Sequence, residues 1–137
     1  MGELYGAAMI NDLNNGAEGW TDWNVLLDET GGPNHVGNFC YAPIHADTRT
    51  GGLTYMNSYY YIGHFSKFIR PGAKRVVSSA TKDALQTTAF LNPDGSIAVV
   101  VMNATDTAVL FNLCLATDAV ALGSPAHSIT TCVIRAN

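Results

Sequence analysis

Apolar and polar positions along the chain follow two periods, and the change falls near residue 72. In residues 4–15, Leu4, Ala8, Met9 or Ile10, and Leu13 recur at the spacing of one helical face, and Asn14-Asn15-Gly16 supplies a stop. Residues 18–26 predict a strand. Trp20, Trp23 and Val25 favour extended backbone, and Val25-Leu26-Leu27 is apolar on both faces, as in a parallel strand covered on both sides. A helix followed by such a strand is one αβ step of a β/α barrel. Residues 28–56 read as a long irregular stretch with turn signals at Gly31-Gly32-Pro33, Ala42-Pro43 and Thr50-Gly51-Gly52. Loops of that length in a compact domain usually carry function, and this one follows the strand end where β/α barrels place their sites. A second helix is predicted from Asn57 to Phe68. Asn57 or Ser58 can cap it, Ile62, Phe65 and Ile69 form its apolar stripe, and Arg70-Pro71-Gly72 ends it.

Beyond Gly72 the period becomes two. Strands are predicted over 74–80, 84–91, 96–103, 107–115 and 128–135, with a weaker one near 119–122. Asn92-Pro93-Asp94-Gly95 is a tight turn, with Pro preset for the first corner and Gly free to take positive φ. Short strands with turns at this spacing indicate an antiparallel sandwich. The expected fold class is therefore α+β, mainly β. Residues 1–72 form the terminal portion of a (β/α)8 barrel and residues 73–137 an antiparallel β-sandwich.

Composition adds one constraint. Charged residues make up 13% of the 137 positions, against roughly 25% in average soluble domains. Hydrophobic residues reach 47%, yet no apolar run approaches the roughly 20 residues of a membrane span. Either the excess apolar surface faces protein outside this chain, or the chain is a β-rich domain with a large core. The net charge of -4 and the scattered Lys and Arg leave no basic stripe for nucleic acid. The N-terminal residues lack the basic-then-apolar pattern of a signal peptide, and the compartment stays undetermined. Cys40, Cys114 and Cys132 match no zinc pattern or disulfide framework. Cys114 and Cys132 could be strand neighbours, but all three read as small, buried, reduced hydrophobes.

The candidate chemistry centres on Gly19-Trp20-Thr21-Asp22-Trp23-Asn24 and the following Gly31-Gly32-Pro33-Asn34. A pyranose presents an apolar face that stacks on an aromatic ring, while its hydroxyls are read by amides and carboxylates. These motifs, with Gly63-His64-Phe65-Ser66-Lys67-Phe68-Ile69-Arg70-Pro71-Gly72, resemble glycoside hydrolase family 30, the glucosylceramidase-like β-glycosidases. The resemblance runs through nearly the whole chain and is strongest over residues 11–39 and 59–76. It implies the C-terminal part of a retaining β-glycosidase of β-glucosides such as glucosylceramide, or of related β-linked sugars, working by double displacement with no metal or cofactor. By motif, Trp23 and Asn38 correspond to family residues lining the sugar pocket. Asp22 and Asn24 either order the loop or bind hydroxyls, and His35 sits in the same loop. Trp20 reads as packing.

No catalytic residue is expected in this chain. Retaining hydrolysis needs two carboxyl groups about 5–5.5 Å apart. Glu3, Glu18 and Glu29 do not converge at any defensible spacing, and Asp22 with Asp28 is the only other pair. In the family both catalytic glutamates lie on earlier barrel strands, so the N-terminal barrel becomes the implied partner. The family sandwich also takes strands from before the barrel. Open edges would then favour self-association. The histidines His35, His45, His64 and His127 match no metal spacing; His64 is expected to bond between helix and sandwich. Tyr59-Tyr60-Tyr61 projects in different directions on a helix, with at least one in the core. Two other readings stand beside the glycosidase: a carbohydrate-binding module, and a structural or interaction sandwich. Residues 73–137 contain only Phe90 and Phe111 as aromatics, which favours the latter for that half.

Overall fold

The computed structural model describes residues 1–135. Its elements, in order, are α1 (Gly2–Asn14), β1 (Leu26–Asp28), β2 (Ile44–Ala46), β3 (Leu53–Tyr55), α2 (Asn57–Ser66), β4 (Lys74–Val76), β5 (Leu85–Leu91), β6 (Ile97–Asn103), β7 (Val109–Leu115), β8 (Asp118–Ser124) and β9 (Ser128–Ile134). They form three sheets: a small mixed sheet β1-β2-β3, an antiparallel sheet β4-β5-β6-β9, and the hairpin β7-β8.

The apolar run in β6 explains the layering. Ile97, Val99 and Val101 face the β7–β8 hairpin with Leu85, Ala89, Phe111 and Leu113. Val100 and Met102 face the helices, meeting Met9 and Ile10 of α1 and Phe65 of α2. The strand is covered on both faces, so its sequence shows no polar alternation. On the hairpin side the cover is incomplete. An apolar cleft of about 1170 Å³, lined by Leu85, Val99, Val101 and Leu113, opens between the two sheets.

Two glycines let α1 pack closely, Gly6 against the sheet and Gly2 against α2. A Cβ at Gly6 would fall 2.6 Å from Met102 Sδ, and one at Gly2 would fall 2.6 Å from Tyr61 Cδ2. Buried Asn92 joins the layers. Its Nδ2 donates to Phe68 O and its Oδ1 accepts from the Arg70 amide, while its carbonyl accepts from Gly95 within the predicted turn. His64 makes the expected bridge. Thr131 Oγ1 donates to His64 O, so His64 Nδ1–H donates to Thr131 Oγ1 at 2.9 Å, and burial lowers the imidazole pKa.

The structure corrects several expectations. The strand predicted over 18–26 forms a ladder only at Leu26–Asp28, because a strand needs a neighbour to pair with and only β2 lies beside it. Trp23 therefore precedes the regular strand. The stretch 28–56 is not wholly irregular, since it contains β2 and β3. On α1, Leu4 and Ala8 point outward, and Gly2, Gly6, Met9 and Ile10 are buried. Helix α2 starts after Met56, with no side-chain cap from Asn57 or Ser58. Strand β4 stops at Val76, and β8 runs the full seven residues from Asp118 to Ser124. The cysteines are free thiols, but Cys114 is exposed and Cys40 and Cys132 are half-buried, because β7 turns Cys114 away from the cleft's core cluster.

Candidate functional site

The segment between α1 and β1 carries the candidate aromatic residues. Trp20 is half-buried and meets Tyr5 of α1 edge-on, with ring centroids 5.5 Å apart. This is the packing role expected of it. Asp22 sits beside the Tyr5 hydroxyl. Burial, together with the Asp22 carboxylate, pushes the Tyr5 phenol up to about 12.

Trp23 is 67% exposed. With Asp22 and Asn24 it lines an open groove of about 950 Å³ whose opposite wall is α2. That wall presents Tyr59, Tyr60, His64 and Lys67, followed by Phe68. Tyr59 stands edge-on to both Tyr55 and Tyr60, at 4.8 and 5.4 Å. Tyr61 turns into the core instead. The helical projection argument therefore holds for Tyr61 and fails for Tyr59 and Tyr60, which share the groove. Lys67 Nζ lies 5.4 Å from the Phe68 ring centre, close enough for a cation–π contact.

Asn38 and His35 do not line this groove. Both are exposed on the loop between β1 and β2. The loop is built from polar contacts. Asp28 Oδ1 accepts from the amides of Thr30 and Gly32 and from Thr30 Oγ1, which holds its carboxyl below the usual carboxylate range. The Cys40 amide donates to Gly31 O, and the backbones run so close that a Cβ on Gly31 would lie 2.5 Å from Cys40 N. Gly31 has a φ of +74°, so glycine is required there on both grounds. Asn34 Nδ2 donates to the carbonyls of Gly31 and Asn38, fixing the tip. His45 closes the base. Its Nδ1–H donates to Asp28 O at 2.9 Å, its Nε2 accepts from the Ala42 amide at 3.2 Å, and Phe39 stacks on its ring. His45 was a bare candidate in the sequence; its partners lie 17 and 3 residues away and carry no motif.

Two of the glutamates are held in structural hydrogen bonds. Glu29 accepts from the Thr48 amide and hydroxyl, and these bonds hold its pKa down. Glu3 bonds to His127. Among the described residues no group of three or more His, Cys, Asp or Glu side chains could hold a metal ion, and no helix is long and apolar enough to cross a membrane.

Comparison with known proteins gives this geometry a family. Residues 1–69 match the glycosyl hydrolase family 30 TIM-barrel domain and residues 72–132 the glycosyl hydrolase family 30 beta sandwich domain. Lysosomal acid glucosylceramidase of Mus musculus is 44% identical over 103 residues, covering 74% of this chain and 20% of the mouse protein. The crystal structure of SrfJ from Salmonella typhimurium superposes with a TM-score of 0.95 at 36% identity, over 99% of this chain and 31% of that one. A solved endo-β1,6-glucanase superposes with a TM-score of 0.85 at 27% identity, over 95% of this chain and 30% of that one. The chain thus spans about a fifth of the length of the mouse relative. Its two matched regions are the end of a barrel and the β-sandwich that follows, and the chain belongs to glycoside hydrolase family 30.

Proposed function

We propose that this chain is the sugar-facing C-terminal part of a retaining β-glycosidase acting on β-glucosides. Trp23 supplies an aromatic face for the pyranose, and Asp22 and Asn24 of the same groove read its hydroxyls; Asn38, by its motif match, and His35, by its place in the same loop, are assigned to hydroxyls from outside that groove. Residues 1–72 serve as the barrel terminus and 73–137 as the supporting sandwich. The two glutamates that attack and protonate the glycosidic bond belong to polypeptide outside this chain. The observation that carries the reading is the indole of Trp23, solvent-exposed on the rim of an open groove instead of packed in the core. An exposed indole beside a carboxylate and an amide offers the stacking face and polar partners that a pyranose takes. The relatives, a glucosylceramidase and an endo-β1,6-glucanase, support a β-linked glucose unit as the common substrate element.

The test has two arms. Incubated with an aryl β-glucoside, the chain alone gives no turnover; turnover abolished by changing Glu3, Glu18, Glu29 or Asp28 would reveal a catalytic pair in this chain. Titrated with a β-linked glucose disaccharide, the Trp23 indole N–H resonance, assigned through Trp23→Phe, shifts while that of Trp20 does not. No shift of the Trp23 indole would remove Trp23 from the sugar.

For residues 73–137 a supporting role is favoured over a carbohydrate-binding one. Phe90 is buried and Phe111 packs in the inter-sheet cluster, so the described sandwich has no aromatic platform. The apolar cleft and the open edges of β7 and β8 support self-association of the chain by itself. Sedimentation at micromolar concentration is expected to show species larger than a monomer.

A further inference from the structure

His127 sits in the turn between β8 and β9 with a φ of +52°, a left-handed conformation uncommon outside glycine. Three segments hold it there. Its amide donates to Thr105 O in the turn after β6. Its carbonyl accepts from the Tyr61 hydroxyl of α2 at 3.3 Å. Its ring lies between two carboxylates, with Nδ1 at 2.8 Å from Glu3 Oε1 on α1 and Nε2 at 2.8 Å from Asp106 Oδ1 in the β6–β7 turn. Glu3 is 124 residues away in sequence and Asp106 is 21.

The two ring contacts set the chemistry. A carboxylate only accepts, so both ring nitrogens must donate for both bonds to exist, and only the imidazolium has two N–H groups. A neutral imidazole keeps one bond and turns a lone pair toward the other carboxylate. We propose that Glu3, His127 and Asp106 form a proton-operated clasp between helix α1 and the sandwich turns, closed when the imidazole carries both protons and slack when it carries one. The charged and titratable groups facing the ring are Glu3 from α1, Asp106 from the β6–β7 turn and, at the backbone, the Tyr61 phenol from α2. Burial and then Glu3 push the phenol upward, so it stays neutral across the working range. The bond to Glu3, followed by that to Asp106, raises the His127 pKa above its ordinary value. The sign follows directly. A raised folded pKa stabilises fully below the unfolded value of about 6.5, and the contribution is lost as pH rises through the folded value. His127 and Asp106 are exposed, so added salt weakens the clasp.

The test is an NMR titration of the His127 ring in the 137-residue chain between about pH 5 and pH 9, at low salt, with thermal unfolding across the same range. The expected ring midpoint lies above about 6.5, and Glu3→Gln and Asp106→Asn each lower it. The unfolding midpoint of the wild-type chain falls on crossing that pH. His127→Asn, which suits left-handed backbone, removes this fall. A wild-type ring midpoint at or below the ordinary value overturns the clasp, and so does an equal pH dependence of unfolding in the wild type and His127→Asn. The ring titration reads the unsubstituted chain and so does not depend on any variant folding.

Discussion

Every residue of β6 from Ala98 to Asn103 is buried, whereas every residue of β3 is exposed. Strand β6 has ladder partners on both sides, β5 and β9, through its full length, with helices over one face and a hairpin over the other. Strand β3 is three residues long at the edge of a small sheet, and Leu53 and Tyr55 stand in solvent beside it. The difference separates residues that complete each other within this chain from residues whose complement lies elsewhere. Exposed aromatic and aliphatic side chains collect in the barrel-derived half: Trp23, Leu26, Phe39, Tyr41, Tyr55 and Tyr60. That half leaves its apolar side chains open, and the sugar and the barrel strands proposed as its partners would both offer an apolar face.

The sharpest break of this contrast is Met102→Ala. Met102 is fully buried between β6 and both helices, so its truncation should cost about 2–5 kcal/mol, read from urea unfolding. A loss below about 0.5 kcal/mol would mean that the helical layer is not docked on the sheet. Asn92→Ala comes next. It removes the bonds to Phe68 O and the Arg70 amide and leaves both groups in a part-buried joint, at about 1–3 kcal/mol. Hydrogen exchange should then accelerate at the end of α2 and leave β9 unchanged.

Trp23→Ala inverts the pattern. Stability should move by less than about 0.5 kcal/mol, because the indole is mostly in solvent, while the sugar response disappears. A large loss of stability would place the indole with the core residues after all. The smallest effect concerns acid. Bonds from Thr30 and Gly32 depress the Asp28 pKa, so its contribution is present above the ordinary carboxylate value and is lost as pH falls below about 4. The Thr30 and Gly32 amide resonances should stay fixed from neutral pH to about 5 and move only below about 4. Movement at higher pH would show that the loop is ordered by something other than Asp28.

The same contrast decides what could be read from the residues. Strands β5, β7 and β9 were legible through alternation and β-branched content, and β6 through its continuous apolar, β-branched run after the Asn92–Gly95 turn. Strand β8 was underestimated. Its run Asp118-Ala119-Val120-Ala121-Leu122-Gly123-Ser124 is weakly β-forming, and pairing with β7 extends it. The face of α1 was misassigned because Gly2 and Gly6 are invisible to hydrophobic periodicity, although the close approach they allow determines what is buried. The strand over 18–26 was overextended because a ladder depends on a neighbour. Trp23, Asp22 and Asn24 were legible as one short motif and share one groove. Tyr59 and Tyr60 join that groove from α2, which no local spacing announces. His127 carries no signal at all, since both of its carboxylate partners are distant in sequence.

The double-sided burial of β6 bears on how this polypeptide could be cut. The two matched family domains meet between residues 69 and 72, which invites excision of the strand-rich half at that point. Such a cut would strip Val100 and Met102 of Met9, Ile10 and Phe65, and turn an interior wall into an outer one. The seam in sequence is a weld in space, and a truncated product would be expected to stick to itself.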